Sequence, residues 1–203
     1  MRKKENDELV KDSDFDDNWP LFEKFLAYLR YLQIRKYIVG NPKYKCVDIG
    51  CGFNGRFLFS ISKKIKCGYG FDLRANEIEK GNIKLINNSK FGGKIPLKDE
   101  TVERVFMLAV LEHLPVENEL VKESNRILKR DGLLVLTTPT PIAKPVLEFL
   151  SYKLHIISEE SIREHQHYYS KQELIERLQR DGFTIEKYTY FQFGFNQMII
   201  GRK

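Results

Sequence analysis

One run of residues, Val47-Asp48-Ile49-Gly50-Cys51-Gly52-Phe53-Asn54-Gly55, constrains this chain more than any other stretch. Its start continues an extended Lys43-Tyr44-Lys45-Cys46 approach and reads as a buried strand; the glycines make a loop that opens into a helix. Gly50 and Gly52, on either side of Cys51, have no Cβ, so the loop can turn tightly and bring a nucleotide-like ligand against bare main chain. Asp48, two residues before the first glycine, offers a carboxylate to a cationic or hydroxylated ligand.

The glycine spacing leaves two cofactor classes open, because Gly50, Gly52 and Gly55 also satisfy the dinucleotide pattern G-x-G-x-x-G. A second strand, Lys66 to Phe71, ends in Asp72, about 20 residues beyond the loop, where an acid meets ribose hydroxyls in either case. Other features separate the two. Asp48 stands where dinucleotide loops carry an apolar residue. Val102 to Ala109 reads as a strand that runs into Val110-Leu111-Glu112-His113-Leu114-Pro115, and no Tyr-x-x-x-Lys pair of a short-chain dehydrogenase occurs.

Taken together, these residues resemble the class I S-adenosylmethionine-dependent methyltransferases, in particular the small-molecule branch with the ubiquinone and menaquinone methyltransferases. Ile95-Pro96-Leu97-Lys98-Asp99-Glu100 is similar to the family's Leu-Pro-Phe-x-Asp turn, Asn125 to Gly132 to its helix end before the fifth strand, and Thr137-Thr138-Pro139 to that strand's exit. The resemblance implies an α/β, Rossmann-like, doubly wound and mostly parallel seven-stranded sheet of order 3-2-1-4-5-7-6 with the last strand antiparallel. It implies S-adenosylmethionine as cofactor. Asp48, Gly50, Cys51 and Gly52 would hold the methionine end, Asp72 the ribose, Leu73 the adenine face, Asn88 or Ser89 the adenine amino group, and Leu108 would complete the lining. Relatives carry an acid where Ser89 stands, a departure that keeps a non-catalytic cofactor-binding scaffold open beside the nicotinamide-dependent oxidoreductase reading.

With 203 residues, 42% of them apolar, the chain can fill one core. Residues 1–19 read as an acidic, flexible leader of net charge −3, which leaves +9 on residues 20–203, a single domain. The cations are scattered as Lys63-Lys64-Lys66, Lys129-Arg130 and Arg177 with Arg180, without interleaved aromatics, which argues against nucleic acid as partner. Three cysteines without a C-x-x-C point to reduced thiols and a cytoplasmic location. No apolar span is long enough to cross a bilayer, peripheral membrane contact stays open, and nothing indicates an oligomeric state.

Apolar periodicity predicts a helix from Pro20 to Val39, then strand Tyr44–Ile49, a helix near Gly55–Lys64 and strand Lys66–Phe71. A short helix is expected at Ala75–Lys80, followed by strand Ile83–Asn87, strand Val102–Ala109, helix Pro115–Lys129 and strand Leu133–Thr138. Ser170-x-x-Glu173 is a capping box for a helix through Arg180. Phe183–Tyr190 and Phe193–Gly201 are too close in sequence to pair in parallel and form a hairpin. Residues 139–167 are inserted before that last helix, with Val146, Phe149, Leu150, Leu154 and Ile157 at helical spacing, and read as a substrate lid or a core extension.

Methyl transfer by in-line displacement asks the protein mainly to align a nucleophile and exclude water. A phenolic acceptor, with a pKa near ~10, would gain from a base. His113 and His167 are the catalytic candidates, with His165 beside the latter. No metal is assigned, because the spacing of Glu112, His113, His165 and His167 does not by itself force them together. The aromatic character of the insert points to a small, partly hydrophobic acceptor.

Overall fold

The computed structural model describes residues 21–40, 43–89 and 94–203; the acidic leader expected at residues 1–19 lies outside them. The strands are β1 (Lys45–Ile49), β2 (Cys67–Asp72), β3 (Ile78–Lys80), β4 (Ile83–Asn87), β5 (Val102–Leu108), β6 (Leu128–Pro139), β7 (Thr184–Phe191) and β8 (Asn196–Arg202). They form one sheet in the order β3-β4-β2-β1-β5-β6-β8-β7. From β4 to β6 all neighbours are parallel, and β8 runs antiparallel to both β6 and β7. Leaving β3 aside, this is the order expected from the sequence.

The additional strand is a correction. Ala75–Lys80, expected as a short helix, instead supplies β3, which pairs antiparallel with β4 through Ile78 and Leu85 and through Lys80 and Ile83. Six residues make a poor helix nucleus, whereas Gly81, at φ 59°, allows an immediate reversal onto the sheet edge. The Asn82 amide then anchors that reversal by donating to the carbonyls of Ser62, Ile65 and Lys66.

Among the described residues, six α-helices accompany the sheet: α1 (Leu21–Ile38), α2 (Arg56–Ile61), α3 (Leu120–Ile127), α4 (Ala143–Tyr152), α5 (Glu159–Arg163) and α6 (Lys171–Arg180). α3 is shorter than the helix expected over Pro115–Lys129, because Leu128 already pairs with Val102. The chain then makes an excursion through Asp131, at φ 61°, before Leu133 resumes the ladder opposite Arg104. At the start of α6 the capping box closes: Ser170 N–H donates to Glu173 at 2.7 Å and Glu173 N–H to Ser170 Oγ at 3.3 Å.

Strand alternation assigns the core to two layers. Cys46, Phe106, Val135 and Ile200 face one side, with Ile34 and Ile38 of α1 and Leu58 and Ile61 of α2. Their chain neighbours Val47, Val105, Met107, Leu134, Leu136 and Ile199 face the other, with Val121 and Ile127 of α3 and Leu174 and Leu178 of α6. With both faces covered, the central strands are apolar on consecutive residues rather than on alternate ones. β1 has β2 on one side and β5 on the other, and the chain departs first to one and later to the other. Its carboxyl end is therefore a topological switch point, the place where an open parallel sheet leaves a crevice.

Candidate functional site

The loop after β1 is fastened before it turns. Gly50 and Cys51 donate their N–H groups to the Phe71 carbonyl at 2.7 and 3.3 Å, and Gly52 donates to Asp72 Oδ2 at 3.0 Å. Asp72 Oδ1 accepts from Arg74 N–H at 2.9 Å, so the acid at the end of β2 is oriented by main chain on both oxygens. The two glycines serve different ends. A Cβ on Gly50, at φ 74°, would lie 2.2 Å from Val110 Cγ2, so that glycine is demanded by packing against the segment after β5. Around Gly52, at φ 70°, a Cβ would meet nothing within 4 Å, which makes it the open floor of the loop.

Asp48 is buried beneath this loop, and burial, aided by the nearby Asp72, holds its carboxyl well above the usual carboxylate range. A cationic ligand group would relieve both causes. The Cys51 thiol turns inward against Gly70, where burial raises its pKa. Leu73 is exposed beside Asp72, and Leu108, partly buried, ends β5.

The end of β4 separates Asn88 from Ser89. Ser89 donates both its N–H and its hydroxyl to Asn87 Oδ1, at 3.1 and 2.5 Å. Asn88 is buried, gives its N–H to the Asp72 carbonyl at 3.1 Å, and keeps a buried Oδ1 without a hydrogen-bond partner. That oxygen is the acceptor an adenine amino group needs. The open floor at Gly52, the desolvated Asp48 and the orphaned Asn88 oxygen fit S-adenosylmethionine, with its ammonium, ribose and adenine.

Beyond β5, one 3-10 turn, Leu111–His113, presents Glu112 and His113. Glu112 is buried and accepts from Thr138 Oγ1 at 2.9 Å; burial pushes its carboxyl up to about 7. The chain after α5 is tied to this turn, because Gln166 and His167 donate their N–H groups to the Glu112 carbonyl at 2.7 and 3.3 Å. The tie brings His165 against His113, ring centroids 4.6 Å apart. His165 shares a 2.7 Å hydrogen bond through Nδ1 with Tyr168 and is held down to about 4, by burial first and His113 second. Burial also lowers the pKa of His113, whose Nδ1 is buried and has no hydrogen-bond partner.

The histidines expected to be catalytic are thus divided. His113 packs against His165, while the His167 ring lies 3.2 Å from Glu173 and packs edge-on to Tyr169. Sequence reasoning missed Arg30. Burial lowers its pKa while the Glu112 carboxylate raises it, and its Nε is buried without a hydrogen-bond partner. The available signal was an arginine one helical turn from Leu26 and Ile34 on an otherwise apolar stripe.

The sheet order and the donor groups at its switch point define a protein of the S-adenosylmethionine-dependent methyltransferase class. The family described as methyltransferase domain matches residues 22–188, and the chain belongs to it. A methyltransferase of this class from Archaeoglobus fulgidus has the same fold, with TM-score 0.65, 18% identity and coverage of 90% of this chain and 100% of that one. Another, from Mesorhizobium loti, has TM-score 0.64, 15% identity and coverage of 85% and 97%. A sterol 4-C-methyltransferase of Caenorhabditis elegans is 30% identical over 100 residues, 45% of this chain and 30% of that protein. An uncharacterized protein of Methanocaldococcus jannaschii is 29% identical over 125 residues, 62% of this chain and 55% of its own. The chain therefore aligns with less than two thirds of either protein's length. No described helix is long and apolar enough to cross a membrane.

Proposed function

We propose that this protein transfers the methyl group of S-adenosylmethionine to a small, partly hydrophobic acceptor held at the His113 mouth. The observation that carries the reading is the open floor at Gly52 set between two acids, Asp48 buried below and Asp72 oriented by main chain. Asp48 meets the cationic methionine end, Asp72 the ribose hydroxyls, and Asn88 the adenine amino group, with Leu73 against the base. When bound, the cofactor supplies an activated methyl on a sulfonium. The chain's own residues then align the acceptor and exclude water.

The acceptor side is built from His113, His165 and Glu112 below, and from the insert above. Tyr168 lies close enough to feel the carboxylates of both Glu148, on α4, and Glu112. Phe149, Leu154 and Ile156 leave the insert with exposed apolar surface, which suits a substrate lid over residues 139–167 and a hydrophobic acceptor. The sterol substrate named for the nematode relative is of that character. Reduced thiols and the absence of a spanning helix among the described residues support a cytoplasmic protein that meets small molecules, with peripheral membrane contact as the route to a lipid-like one.

The test is calorimetry with S-adenosylhomocysteine, followed by transfer of a radiolabelled methyl group to a panel of phenolic, lipid-like and sugar acceptors. Binding of one equivalent and label in an organic-soluble product are expected. No heat with the product nucleoside on folded protein would end the proposal.

A further inference from the structure

Glu112, His113 and His165 each offer one donor atom, and all three atoms lie within 4.8 Å of one another. Main chain holds the arrangement in place. Besides the two N–H groups on the Glu112 carbonyl, the Gln166 side chain donates to the His113 carbonyl at 3.1 Å, so the segments are stitched on either side of the cluster. We propose that these three side chains form a binding site for one divalent transition-metal ion that faces the acceptor mouth. The inference rests on the mouth being the acceptor site, and it names what receives the acceptor there.

The donor chemistry is that of an open site. One carboxylate with two imidazoles, leaving further positions free, suits zinc, cobalt, nickel or iron(II); magnesium and calcium favour all-oxygen sets. Thr138 Oγ1 donates to Glu112 Oε2 at 2.9 Å, and the carboxylate also accepts from its own main chain, so the group is held in place. Tyr168 engages His165 Nδ1, which leaves Nε2 as the ligand and fixes the ring in the way outer-sphere partners of metal-bound histidines do. His113 Nδ1 is buried without a hydrogen-bond partner, with Glu164 Oε2 3.9 Å away. The Glu112 carboxylate already feels the buried Arg30 guanidinium and would share its charge between that cation and the ion. Ligands about 2.1 Å from one ion sit roughly 3.4 Å apart, so modest side-chain rotations close the set.

An ion here takes an acceptor hydroxyl as a further ligand and lowers its pKa. The O–H bond breaks with its proton passing to solvent. The oxygen lone pair forms the new bond to the methyl carbon, and the electrons of the broken carbon–sulfur bond stay on sulfur. The ion's oxidation state does not change. The acceptor class is thus a hydroxyl compound, with His113 acting as ligand rather than base.

Calorimetry with zinc, cobalt and magnesium chlorides on chelator-stripped full-length protein tests this, with cobalt absorption reporting the ligand field. One zinc or cobalt ion per chain is expected, bound at least about tenfold more tightly than magnesium. His165→Ala and Glu112→Gln are each expected to weaken binding by about tenfold or more, and His155→Ala to leave it unchanged. S-adenosylhomocysteine titration of the same proteins verifies the fold and separates the two readings. Nucleoside binding without stoichiometric metal binding overturns the metal site alone, as does unaltered zinc affinity in His165→Ala. Metal binding without nucleoside binding overturns the proposed function and leaves the site standing.

Discussion

The Gly52 N–H donates to Asp72 Oδ2 at 3.0 Å, which fastens the loop after β1 to the end of β2. The Asp72 carboxylate therefore shapes the loop as well as facing the crevice. Asp72→Ala leaves the Gly52 and Arg74 N–H groups without their acceptor and costs about 1–2 kcal/mol, the site being partly open to solvent. Binding of S-adenosylhomocysteine is expected to fall below detection. Asp72→Asn keeps an acceptor and separates the effects, with a melting temperature near that of the unaltered protein and about tenfold weaker binding by calorimetry.

The two loop glycines respond differently to alanine. Gly50→Ala drives a methyl into Val110 at 2.2 Å and is expected to cost more than about 3 kcal/mol, read as loss of cooperative melting. Gly52→Ala meets no atom and adds only the strain of a positive φ, about 1 kcal/mol. It is expected to fold, and to bind nucleoside at least about tenfold more weakly because its methyl occupies the floor.

Asp48 trades stability for ligand binding. Its folded-state pKa is raised, so the native state holds a proton that the unfolded chain has released, and stability falls as pH rises above the ordinary aspartate value of about 4. Asp48→Asn is expected to raise stability at pH 7 by about 1 kcal/mol, an advantage that vanishes below about pH 4 where both carboxyl forms are neutral. The same variant is expected to lose about tenfold or more in S-adenosylmethionine affinity. Thermal melts across pH and calorimetry read both.

An ion pair braces the wall next to β4. Glu123 accepts from Arg126 Nε and Nη2, both at 2.9 Å, and from Ile95 N–H at 3.1 Å, while Arg126 also donates to the Leu97 and Ile95 carbonyls. The Arg126 hydrogen bond holds the Glu123 carboxyl below its usual value. Its contribution is complete above about pH 4.3 and lost as pH falls through the depressed folded value. Glu123→Gln is expected to cost about 1–2 kcal/mol at pH 7 in urea melts, a penalty that shrinks on acidification.

The parts legible in the sequence are those whose forces act between near neighbours. The strand and glycine loop at Val47–Gly55, the Ser170–Glu173 cap and the carboxyl-terminal hairpin each close within a few residues, so residue type and spacing specify them. Ala75–Lys80 was misread because a local pattern competed with an unpaired sheet edge, and the edge prevailed.

By itself, the sequence determined the strand and glycine loop at Val47–Gly55, the carboxyl-terminal hairpin and the places of Asp48 and Asp72 beside that loop, because residue type and spacing specify them. The sheet order came from the family resemblance those residues carry. Only the tertiary structure decided why Gly50 must be glycine, which of Asn88 and Ser89 keeps a free oxygen, and that His165 rather than His167 joins Glu112 and His113. Those outcomes depend on contacts between segments far apart in the chain, and no spacing rule encodes a distance that packing of the whole core sets.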